Sequence, residues 1–134
     1  MSLITGIETK LRYGDKVQVQ VHNFGQPRIG DVNLAQFLTS KLDGIFRVIH
    51  NQDLVPHVPF EFIKYAHPAN EVFFSADFKT FTVCDDSGED SNCSNSFFPF
   101  YNPKDHDFYF FDMPGEGTNC KVSLEEWKNC LFII

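Results

Sequence analysis

No run of uncharged apolar residues in this 134-residue chain approaches the ~20 needed to span a bilayer; Phe97–Tyr101 and Leu131–Ile134 are the longest candidates. Cations are few, with 11 Lys and Arg against 18 Asp and Glu, and the formal charge is −7. Phosphate binding needs clustered cations, so this balance argues against a nucleic-acid partner. The four cysteines show no C-x-x-C spacing and no tight Cys/His pair, which leaves the zinc-site patterns unmatched. No metal or organic cofactor is expected. Met1–Ile7 lacks a cationic start and runs into Glu8 and Lys10, so it does not read as a secretory leader. Repeats and linkers are absent, and the length is that of one domain at most.

What the chain does contain is phenylalanine, 16 residues of it, with aromatics concentrated between Phe97 and Phe111. A composition of 43% hydrophobic and 22% charged residues is globular, not disordered. That much aromatic surface must enter a core, a partner or contact with an apolar ligand. Cys84, Cys93, Cys120 and Cys130 permit three disulfide connectivities, and disulfides are expected over free thiols or a metal. Cys84 and Cys93 bracket an acidic polar loop that reads as a hairpin-like excursion closed by a bridge.

Along the chain, Leu3, Ile4, Ile7 and Leu11 share one helical face, and Gly14-Asp15 is a stop signal. Val17, Val19 and Val21 then alternate with Gln18 and Gln20, a strand pattern that runs to Phe24. Asn33 to Leu42 returns to helical spacing, and Ile45–Ile49 is a second strand. Helix, strand, helix, strand predicts an α/β fold with parallel strands and flanking helices. Beyond Asp53, Pro56, Pro59 and Pro68 break the chain, and Glu71–Phe74 with Thr80–Cys84 suggest two shorter strands. Val122–Phe132 reads as a last helix with Ser123 as its N-cap.

Several segments together resemble the fungal-type class 3 triacylglycerol lipases. Phe24-Gly25-Gln26-Pro27-Arg28-Ile29-Gly30 matches that family's F-G-x-P-R-x-G. Arg47-Val48, then Asp53-Leu54-Val55-Pro56-His57-Val58-Pro59, matches R-V followed by D-x-V-P-H-x-P. His67 with Glu71 fits its H-x-x-x-E segment, and Cys84 with Cys93 fits its loop-closing pair. Asp105-His106-x-x-Tyr109-Phe110 matches the segment around its histidine. The resemblance implies the C-terminal part of an α/β-hydrolase fold that cleaves acylglycerol esters at a lipid–water interface through a Ser-Asp-His triad. It makes Asp53 the triad acid and His106 the triad base. It also implies a secreted protein, a Cys84–Cys93 disulfide, and structural roles for His57 and His67.

The sequence holds no G-x-S-x-G nucleophile elbow; its one close glycine pair, Gly115 and Gly117, flanks Glu116. Residues 2–13 read as the helix that follows the elbow in the family. The expectation is therefore a single partial domain over residues 1–134, with the nucleophile, the oxyanion loop and the lid in a missing N-terminal half. Such a chain is expected to be inactive alone. Two alternatives stand beside this reading: a non-catalytic pseudo-lipase that binds lipid or a partner through the Phe-rich segment, and the same fold acting as phospholipase, diacylglycerol lipase or feruloyl esterase. Arg28 is expected to anchor its loop to a carboxylate or to backbone carbonyls. Asp85, Asp86, Glu89 and Asp90 lack the spacing of a calcium loop and are expected to form a solvated face.

Overall fold

A computed structural model describes residues 2–109 and 111–112. The expected helix Val122–Phe132, Cys120, Cys130 and Phe110 lie outside the described residues. Helix α1 (Ser2–Tyr13) buries Leu3, Gly6 and Ile7, whereas Ile4 and Leu11, expected on the same apolar face, are exposed. Strand β1 (Gln20–Phe24) buries Val21 and Asn23 and exposes the residues between. The expected alternation from Val17 onward becomes strand only at Gln20, because the Val19 N–H is taken by the Asp43 carboxylate at 2.7 Å and not by a neighbouring strand.

A two-residue strand β2 (Gly30–Asp31) leads into helix α2 (Val32–Lys41). Asp31 caps that helix by accepting the Leu34 N–H at 3.0 Å, which satisfies one of the donors a helix start leaves open. Strand β3 (Gly44–His50) is buried almost throughout, the pattern of a strand covered on both faces. It runs parallel to β1 on one side and to β5 (Glu71–Phe74) on the other. A short β4 (Tyr65–Ala66) pairs with β2, and β6 (Phe81–Val83) closes antiparallel on β5. The main sheet has the order β1-β3-β5-β6. Two small strands, β7 (Phe108–Tyr109) and β8 (Phe111–Asp112), form a separate pair.

The main apolar cluster lies where α1 and α2 cover one face of the sheet: Leu3, Ile7, Val21, Leu38, Leu42 and Ile45. Outside this cluster, buried polar groups accompany the apolar Val48, Ile49 and Ala69. Arg47, 1% exposed, faces Glu71 across β3 and β5 at 3.6 Å and donates to the Pro68 and Gly88 carbonyls at 2.7 and 2.8 Å. Glu71 accepts the Ser94 N–H at 3.0 Å, and Cys84 is bonded to Cys93. The H-x-x-x-E segment is thus structural at both ends, with His67 Nε2 2.7 Å from the Pro56 carbonyl.

Arg28 anchors its loop as expected, but with a partner the sequence reading had placed in solvent. Its guanidinium grips Glu89 through two bonds of 2.7 and 2.6 Å and donates to the His57 and Pro59 carbonyls. Glu89 is therefore a half-buried ion-pair partner and not part of a solvated face. Spacing along the acidic loop carried no sign of this, because the partner lies 61 residues away.

Candidate active site

Asp53 follows β3 directly, at the carboxyl end of a central parallel strand, where open α/β sheets gather their working residues. It is fully buried. Its Oδ1 accepts the Val55 N–H at 2.8 Å, which fixes the carboxylate at the start of the Val55–His57 turn. His106 is carried by a single 3-10 turn, Pro103–Asp107, capped by the Asn102 side chain. Folding brings the two together across 53 residues: His106 Nδ1 lies 2.9 Å from Asp53 Oδ2.

A carboxylate can only accept, so this contact places the proton on Nδ1 and leaves Nε2 with its lone pair. The His106 side chain is 38% exposed, and its Nε2 makes no hydrogen bond to a described residue. The arrangement is a buried acid behind an imidazole whose second nitrogen can take a proton from an approaching hydroxyl.

Two further residues complete the geometry, and in the sequence both stand only as members of motifs. The Tyr109 hydroxyl donates to Asp53 Oδ2 at 2.6 Å while accepting the His50 main-chain N–H at 3.2 Å. Burial, and then the Asp53 charge beside it, push the phenol well above its usual range, so Tyr109 stays a donor. Gly25 adopts a left-handed conformation, φ +57°, at the turn after β1. A β-carbon there would stand 2.7 Å from the His106 ring and 3.0 Å from Asp53 Oδ2. The pair is packed directly on the Gly25 backbone. A glycine placed just past the carboxyl end of a parallel strand was the signal available for it.

His57 and His67 are both buried and stand apart from this pair. His57 stacks on Tyr101 with ring centroids 4.1 Å apart, and its ring nitrogens make no hydrogen bond of good geometry to a described residue. Among the described residues, Glu71, Cys84 and Cys93 are the one cluster with metal-ligating side chains, and its two sulfurs are bonded to each other.

The family model described as lipase (class 3) matches residues 1–63. A lipase of Rhizopus niveus is 32% identical over 92 residues, which is 69% of this chain and 24% of that protein. The solved structure of Rhizomucor miehei triacylglyceride lipase superposes with a TM-score of 0.73 at 30% identity, covering 82% of this chain and 43% of that one. Another, described as a triacylglycerol lipase whose catalytic centre is a serine protease triad, gives 0.74 at 28% identity over 81% of this chain and 42% of its own. The chain belongs to the class 3 lipase family.

This lipase-family chain has the family's α/β-hydrolase type of fold, with a mostly parallel sheet and flanking helices. It spans about a quarter of the length of the curated relatives it matches and less than half of the solved chains. Among the described residues, no helix is long and apolar enough to cross a membrane.

Proposed function

We propose that this chain supplies the acid and the base of a class 3 lipase acting on acylglycerol esters. The observation that carries the reading is the buried Asp53 carboxylate on Nδ1 of His106, whose side chain is partly exposed. In this scheme a serine of the G-x-S-x-G elbow attacks the ester carbonyl and His106 Nε2 takes its proton. His106 then returns that proton to the leaving alcohol, and activates the water that hydrolyses the acyl-enzyme. Asp53 holds the Nδ1–H tautomer and stabilises the imidazolium, while Tyr109 and Val55 keep its carboxylate in place. The scheme calls on no metal or organic cofactor.

Residues 1–134 contain no elbow, and the oxyanion donors belong beside it. We take residues 1–134 as the C-terminal part of the lipase domain, which works only with the half that carries the serine. Loss of a triad nucleophile costs about 10⁶ in turnover, so the chain alone is expected to leave tributyrin intact. The Cys84–Cys93 bridge supports a secreted, extracellular setting. A second reading, a non-catalytic lipid binder, draws on the exposure of Phe62, Phe98 and Phe100, at 78%, 66% and 77%. Choice among triacylglycerol, diacylglycerol, phospholipid and feruloyl esters belongs to lid and pocket residues in the other half.

The deciding experiment joins this chain to the in-frame sequence upstream of Met1 and assays tributyrin hydrolysis. The expected result is activity in the joined protein, none in residues 1–134, and a loss of about 10⁴ in kcat for Asp53→Asn. Serine-inhibitor-sensitive hydrolysis by residues 1–134 alone would overturn the reading. So would a joined protein that binds lipid vesicles without turnover.

A further inference from the structure

The Asp53–His106 contact joins two loops, and a second carboxylate next to His106 ties the same two loops together. Asp105 Oδ2 accepts the Asn51 side-chain amide at 2.8 Å and the Gln52 main-chain N–H at 3.0 Å. Those are the two residues immediately before Asp53. Asp105 Oδ1 accepts the side-chain amide of Asn102, the cap of the His106 turn, at 2.8 Å. The main chain repeats the link, with the Asn102 N–H donating to the Gln52 carbonyl at 2.7 Å and a bridge between Asp53 and Asn102. On the strand side, His50 Nδ1 lies 3.1 Å from the Asp105 carbonyl.

We infer that Asp105 is a positioning residue, the clip that sets His106 against Asp53. The inference rests on the reading of His106 as the base. Three N–H donors from both loops converge on one carboxyl group, two on Oδ2 and one on Oδ1. The imidazole Nδ1 contacts Asp53 and not Asp105, although Asp105 adjoins His106 in sequence. The clip uses residues 50–53 and 102–106 alone, so the acid and base are aligned without the nucleophile-bearing half. Small misplacements of a catalytic group cost on the order of 100-fold in rate, and a base on a single short turn needs such a restraint.

The test is low-temperature proton NMR of the chain joined to its upstream half, following the His106 Nδ1 proton, which a buried carboxylate holds far downfield of the amides. Asp53→Asn is expected to abolish that resonance. Asp105→Ala is expected to broaden or remove it while the dispersed amide spectrum persists. Asn51→Gly, which suits the left-handed φ of +44° there and deletes one donor, is expected to weaken it. It decides the matter if Asp105→Ala does not fold. A resonance unchanged in position and width in Asp105→Ala and Asn51→Gly overturns the clip and leaves the Asp53–His106 pair standing. Its absence from the unsubstituted chain overturns the pair and the clip together.

Discussion

A β-carbon at position 25 would meet the His106 ring at 2.7 Å from a backbone already at positive φ. Gly25→Ala therefore combines left-handed strain with overpacking, about 1–4 kcal/mol in all. It also pushes the imidazole off Asp53. The expected outcome is a lower melting temperature together with loss of the downfield His106 proton; a variant with the parent spectrum would show that the backbone does not seat the ring. The sequence pointed to Asp53 and His106 through recognisable segments, and folding brings the two side chains to 2.9 Å. The partners that hold them were not legible there. The Tyr109 hydroxyl, the Asp105 clip and the absent β-carbon of Gly25 act across 50 residues or more, and no local spacing encodes such a contact.

The loop that follows β3 and the disulfide loop are joined by buried polar groups, and this makes acid stability a property of these elements. Burial, then the Arg28 charge, push the His57 imidazole down to about 4, and burial pushes His67 down as well. An unfolded chain takes up these protons near pH 6.5, but the folded chain takes up the His57 proton only near 4. Between those values the unfolded state holds more protons, so stability rises with pH and falls on acidification. For His57 alone the loss is about 3 kcal/mol across that window. Glu71, whose carboxyl burial pushes up, works in the opposite sense as it titrates. Melting temperatures measured from pH 7 down to 5 are expected to fall, with part of the slope lost in His57→Phe, which keeps an aromatic ring on Tyr101. A flat profile would show that His57 is protonated without penalty.

Across the whole molecule, β1 is an edge of the sheet among the described residues, and α1 lies beside it. A cavity of about 440 Å³ opens there, lined by Thr5, Gly6 and Thr9 of the helix and by Gln20, His22 and Phe24 of the strand. The edge of a sheet can recruit a further strand. The 134-residue chain is expected to self-associate in sedimentation velocity runs as its concentration rises, and the joined protein is expected to stay monomeric. A monomeric 134-residue chain with a cooperative thermal transition would count against the fragment reading.

Periodicity alone pointed to α1, β1, α2 and β3, though not to the two-residue β2 among them, because period 3.6 and period 2 are local properties of apolar placement. The motifs singled out Asp53 and His106. Only the tertiary structure decided that Glu89 is an ion-pair partner, that Val19 gives its N–H to Asp43, and that Asp105 binds both loops. The reason is the same in each case. A hydrogen bond or ion pair between distant segments depends on where folding carries two side chains, and the composition of either segment is compatible with many other partners.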